Sequence, residues 1–161
     1  MSAPTSSAPS ALATLLATWW GSGLLPRAPG TWGSLAALPF AWGIALLGGW
    51  PALAVATVGV FAIGVWSAGV YAERTGGEDP GAVVIDEVAG QWLVLIPAPL
   101  DPLWYAAGFV LFRLFDIWKP WPVSLADRQV KGGLGIMLDD ILAGCYGLAV
   151  MGGSLWWATT I

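Results

Sequence analysis

Residues 112–144 read FRLFDIWKPWPVSLADRQVKGGLGIMLDDILAG, and the rest of the chain is organised around them. Four of the six basic side chains lie here, Arg113, Lys119, Arg128 and Lys131, together with four carboxylates, Asp116, Asp127, Asp139 and Asp140. The flanking sequence is mostly apolar. An ionisable side chain at the centre of a membrane helix costs roughly 2.5–3.5 kcal/mol on insertion scales. A greasy chain that gathers its charge in one place is expected to use it there, in chemistry or in transport.

Of the 161 residues, 57% are hydrophobic and only 10% charged, well below the roughly 25% charged of an ordinary soluble domain. The composition is that of an integral membrane protein in one compact unit. Many of the 12 tryptophans flank apolar runs (Trp19, Trp20, Trp32, Trp50, Trp104, Trp118, Trp121, Trp156 and Trp157), as an interfacial aromatic belt would. The net charge of −4 leaves no footprint for nucleic acid. Histidine is absent, which excludes histidine acid–base catalysis, phosphohistidine intermediates and histidine metal ligands. The single cysteine, Cys145, sits in an apolar helical run and reads as a packing residue rather than a nucleophile. Carboxylates, Arg, Lys, amides and hydroxyls remain, a set that suits a hard cation with oxygen ligands, Mg²⁺ first.

Taken in order, residues 1–10 are Ser/Pro/Ala-rich and read as a disordered tail. Residues 11–20 form a short apolar helix, too short to span and suited to the interface. Residues 21–34, GSGLLPRAPGTWGS, are a shaped loop, with Ser34 as a candidate N-cap or with the backbone as a cradle beside the site. Residues 35–49 and 52–71 carry no charge and form a hairpin across the membrane. Residues 82–97, bearing Asp86, Glu87 and Gln91, and residues 103–115 make two shorter arms separated by Pro97, Pro99 and Pro102. Residues 134–157 are the last span. The expected fold is all-α, a polytopic helical membrane bundle. It has about three to five membrane-embedded helices, roughly 20 residues to a full span, plus an N-terminal interfacial helix. Residues 11–161 form its single domain.

Arg27 precedes the first span, Arg74 follows the second and the other four bases precede the last, whereas the turns around Gly49 and Asp101 have none. The positive-inside rule makes the charged side cytoplasmic. Thr31, Asp86, Glu87, Arg113, Asp116, Lys119, Lys131, Asp139 and Asp140 then all fall near that face. Glu87 and Gln91 share a helix face at i, i+4. Asp86 and Glu87 are either interfacial acids favoured by a helix dipole or metal ligands. Arg113 and Lys119 either complement a helix C-terminus or grip phosphate, where Arg offers a fork and Lys a point charge. Residues 131–135, KGGLG, could present backbone N–H groups to an anion. Asp139 and Asp140 are the strongest argument for a cation, because two adjacent carboxylates in low dielectric do not both stay ionised without one. Acids in excess of bases, on the cytoplasmic side of a bilayer, point to Mg²⁺ and a lipid phosphate.

Three stretches, GSGLLPRAPGTWGSLAALPF, VIDEVAGQW and residues 112–144 in full, resemble the phosphatidylglycerophosphatase A family, in its order and roughly its spacing. The resemblance implies an all-helical membrane-embedded phosphatase domain on the bacterial inner membrane. It would convert phosphatidylglycerophosphate to phosphatidylglycerol with Mg²⁺, at the cytoplasmic face. Matching positions are Asp86, Glu87, Arg113, Asp116, Lys119, Asp127, Arg128, Lys131, Asp139 and Asp140. The expected roles are metal binding by Asp86, Glu87, Asp116, Asp139 and Asp140, and catalysis by Asp116, Asp140 and Glu87. Thr31, Arg113, Lys119, Arg128 and Lys131 are expected to bind substrate. A small ion-coupled transporter is the alternative of another class, against which stand the placement of the acids near one face and the absence of an internal repeat. A phosphatase for another lipid phosphate is the alternative within the class.

Overall fold

The structure, a computed structural model, describes residues 10–160. The expected tail, Ser10 apart, lies outside the described residues. Six α-helices follow in order: α1 (Ala11–Ala17), α2 (Pro29–Thr75), α3 (Ile85–Leu95), α4 (Pro102–Trp118), α5 (Val123–Gln129) and α6 (Gly132–Thr160), with a 3₁₀ turn at Ser22–Leu24. Among the described residues there is no strand.

Helix α1 opens on Ser10, whose Oγ accepts from the Ala13 N–H at 3.2 Å. Its buried alanines, Ala13 and Ala17, let it lie close against the bundle, and the Ala17 carbonyl accepts from the Val84 N–H at 2.9 Å. Leu12 and Leu15 remain exposed, as an interfacial helix requires.

Helix α2 starts earlier than expected. Pro29 presets helical φ in the first turn after a left-handed Ala28. Ser34 is therefore not a cap. It sits inside the helix, buried, and donates to the Gly30 carbonyl at 2.9 Å. The helical run is broken at Gly49, with φ 67° and ψ −165°, a conformation only glycine adopts readily. Gly33 packs on Val84, while Gly64 packs on Ile85 and Met137. Both arms therefore return to the start of α3, and α2 is the expected hairpin, folded at Gly49. Gly76, left-handed at φ 74°, ends it.

Helix α3 is buried on nearly every side, its polar Asp86 and Gln91 included, and packs against both α2 and α6. At 11 residues it is about 16 Å long, too short to span. Its close approach to α6 depends on two glycines. A Cβ at Gly90 would lie 2.4 Å from the Phe112 ring and 2.7 Å from the Asp140 carbonyl, and one at Gly144 would lie 2.9 Å from the Gly90 carbonyl. Asp101 caps α4, its Oδ1 accepting from Leu103 N–H at 2.8 Å, and Pro102 occupies the first turn. Helix α4 ends at a left-handed Lys119, just before Pro120.

Two helices, α2 and α6, are long and apolar enough to cross a membrane. The outer surface is apolar, with Leu47, Leu103, Val55 and Ile117 exposed. Two expectations fail on this surface. Trp19 belongs to the core, edge-on to Phe40 and Trp92, in the left-handed turn that follows α1. Cys145 is exposed on α6 and does not pack in the core.

Candidate active site

The first turn of α3, the last turns of α4 and the early part of α6 meet at one end of the bundle. Asp86 and Glu87 follow Val84, which lacks a side-chain cap; Asp86 Oδ1 instead accepts from the Glu87 N–H at 2.9 Å. Acids in a first turn are favoured by the helix dipole. The Gly90–Gly144 contact brings α6 close enough for Asp140 to join them. One carboxylate oxygen from each of Asp86, Glu87 and Asp140 lies within 4.8 Å of the others. Among the described residues, Glu87 Oε2 and Asp140 Oδ2 are buried with no hydrogen-bond partner. Buried polar atoms are normally satisfied, so orphaned oxygens in a three-carboxylate cluster fit a cation with oxygen ligands.

Arg113 borders this cluster. It donates to Asp116 Oδ2, and its Nη1 lies 4.0 Å from Glu87 Oε1. Its Nε is buried without a partner among the described residues. Asp116 is close enough to Glu87 and Asp140 for their charges to act on one another. Lys119 Nζ donates to Asp127 Oδ1 at 2.7 Å and to Asp139 Oδ2 at 2.8 Å. Partial burial opposes its charge, but these two bonds outweigh it and hold the lysine above its usual pKa.

The expected residues therefore divide. Asp86, Glu87, Asp140, Asp116 and Arg113 come together. Asp139 points about 100° away from Asp140, as helix neighbours do, and pairs with Lys119 outside the three-carboxylate cluster. Lys131 is exposed and bonds Glu78 Oε2 at 2.7 Å; that bond raises the lysine and lowers the glutamate. It lines a pocket of about 70 Å³ with Glu78, Asp127, Asp139, Val130 and Ile136. Arg128 is exposed on α5 and, among the described residues, has no ion pair within 4.0 Å. Thr31 is half-buried in the first turn of α2. Of the glycines after Lys131, Gly132 takes a left-handed φ of 71° and the other two serve packing: a Cβ at Gly133 would strike the Val65 carbonyl and one at Gly135 the Val130 carbonyl.

Sequence reading missed Gly30. A Cβ there would lie 2.1 Å from Glu87 Oε1 and 3.1 Å from Arg113 Nη1. The only signal was a glycine directly after the proline that starts α2. Glu78, the partner of Lys131, lies between α2 and α3 and is not among the expected site residues.

The family profile described as "Phosphatidylglycerophosphatase A" matches residues 15–154. The chain belongs to the phosphatidylglycerophosphatase A family. Phosphatidylglycerophosphatase A of Escherichia coli (strain K12) is 45% identical over 138 residues, covering 85% of this chain and 80% of the relative. The protein of the same name from Haemophilus influenzae is 39% identical, with 89% and 88% covered. A Bacteroides thetaiotaomicron protein, provisionally named a phosphatidylinositol-3-phosphatase, is 42% identical, with 92% and 96% covered. No solved structure gave a significant match.

Proposed function

We propose that this family member is a Mg²⁺-dependent phosphatase that hydrolyses phosphatidylglycerophosphate to phosphatidylglycerol and phosphate at the cytoplasmic face of the bacterial inner membrane. The observation that carries the reading is the buried cluster of Asp86, Glu87 and Asp140, with Arg113 at its edge, in a chain of this family. A divalent cation held there would polarise a phosphoryl oxygen as a Lewis acid. Asp86, Glu87 and Asp140 would hold it.

The chain's own groups do the rest. Arg113, fixed by Asp116 and Glu87, offers its remaining N–H groups to the phosphate oxygens, where a planar fork suits the anion. Asp116 takes a proton from the attacking water. Lys119, held by Asp127 and Asp139, adds positive charge beside the phosphate, and Asp139 acts by positioning it. Lys131, Arg128 and Thr31 face the headgroup from the rim. Residues 11–161 form one membrane-embedded domain. The two arms of α2 and helix α6 cross the bilayer, with α3 and α4 embedded between them as shorter arms. The positive-inside rule puts the carboxylate end in the cytoplasm. Family membership favours hydrolysis over ion-coupled transport.

The test is phosphate release from phosphatidylglycerophosphate in detergent micelles, with Mg²⁺ or with EDTA. Phosphatidic acid and phosphatidylinositol 3-phosphate run alongside, the latter because of the Bacteroides relative. Mg²⁺-dependent release that favours phosphatidylglycerophosphate supports the proposal. Preference for phosphatidylinositol 3-phosphate moves the function to that lipid, and release from none of them overturns it.

A further inference from the structure

The first arm of α2 and helix α4 lie antiparallel. At their charged end Gly30 meets Arg113. Away from it the two helices separate, leaving a groove of about 490 Å³ with an almost wholly apolar lining. Leu35, Leu38 and Pro39 form one wall, and Ala106 and Phe109 the other. Pro39 and Ala106 are exposed and short, so the groove opens sideways on the apolar outer surface. Its far end is lined by Pro102 and by Trp42 and Tyr105, edge to face with ring centroids 4.9 Å apart. Phe109 also lines a second apolar hollow whose wall includes Arg113 itself. The groove thus begins at Phe109, one helical turn along α4 from Arg113, and extends to Pro102, about 10 Å further at 1.5 Å per residue.

We infer that this groove holds one acyl chain of the lipid substrate, entering sideways from the bilayer with its phosphate at Arg113. The inference rests on the lipid-phosphatase reading above and adds to it how the substrate is held. An apolar groove that begins one helical turn from a guanidinium matches a molecule with an anionic head and a hydrocarbon tail. A water-soluble phosphomonoester would leave the groove unused. The chain's contribution is burial of its methylenes.

The experiment compares kcat/KM for dipalmitoyl and dihexanoyl phosphatidylglycerophosphate in one detergent. Ala106→Trp and Leu35→Trp fill the groove from its two walls; Val55→Trp, at an exposed position on the second arm of α2, is the control. Each groove variant should lower the dipalmitoyl-to-dihexanoyl ratio about tenfold, the worth of roughly two buried methylenes, while the control keeps the wild-type ratio. An unchanged ratio in both groove variants, or an equal fall in the control, overturns the inference. Because a variant could fail to fold, the wild-type protein is also photolysed with phosphatidylglycerophosphate bearing a diazirine on one acyl chain. Adducts mapping to residues 35–42 and 102–109 support the groove, and adducts only elsewhere overturn it. Wild-type protein that releases no phosphate from either substrate sinks the phosphatase reading instead, and the cross-linking still reports on the groove.

Discussion

Gly30 and Glu87 stand so close that no side chain fits between them. A Cβ on Gly30 would be 2.1 Å from Glu87 Oε1, a distance at which one group must move. The first turn of α2 is therefore the wall against which the Glu87 carboxylate is set.

Gly30→Ala should uncouple activity from stability. Alanine is better than glycine in a helix by about 1 kcal/mol, so the substitution need not lower the melting temperature. The displaced Glu87 should lower kcat/KM by about 10²-fold, as an ångström of misplacement in an active site can. Phosphate release and thermal melting on the same sample check this; full activity would show that Glu87 has slack.

Asp140→Asn should abolish the response to metal as well as most of the activity. A cation that binds only the folded protein stabilises it by about 2.7 kcal/mol at a hundred times its dissociation constant. Mg²⁺ should therefore raise the melting temperature of the wild-type protein, and EDTA should reverse the rise. The variant should show no rise. An equal shift in both proteins would place the cation elsewhere.

Lys119 and Asp139 should behave as a pair. Their 2.8 Å bond predicts that Asp139→Asn and Lys119→Met are not additive, with a coupling of about 1 kcal/mol in kcat/KM for neighbours in one network. Asp139→Asn should retain the Mg²⁺-induced rise in melting temperature that Asp140→Asn loses. Loss of that rise in Asp139→Asn would return Asp139 to the ligand set.

Gly90→Val should damage the fold itself. Its Cβ would meet the Phe112 ring and the Asp140 carbonyl, and overpacking of this kind costs about 1–3 kcal/mol. Thermal melting should show the loss, and the Asp140 carboxylate should be carried away from Asp86 and Glu87. Wild-type melting in this variant would mean that α3 and α6 can part without cost.

The sequence by itself determined the helical class, the hairpin over residues 35–71, and the gathering of acids and bases at one end. These follow from local signals: apolar run length, glycine and proline punctuation, and the loops in which Arg and Lys fall. It also singled out Asp86, Glu87, Arg113, Asp116 and Asp140, because ionised groups in an apolar chain need a reason to be there.

Tertiary structure alone decided which of these groups meet. Asp139 and Asp140 are adjacent and chemically identical, yet one pairs with Lys119 and the other faces Asp86 and Glu87. That choice depends on the rotation of α6 against α3, and the rotation is fixed by the close approach of Gly90 and Gly144, on different helices. Gly30 acquires its role in the same way, from a carboxylate 57 positions later in the chain. The inward Trp19 and the groove between α2 and α4 likewise arise from how helices stack. A local pattern records which face of a helix is apolar, but not which helix that face will meet or how closely.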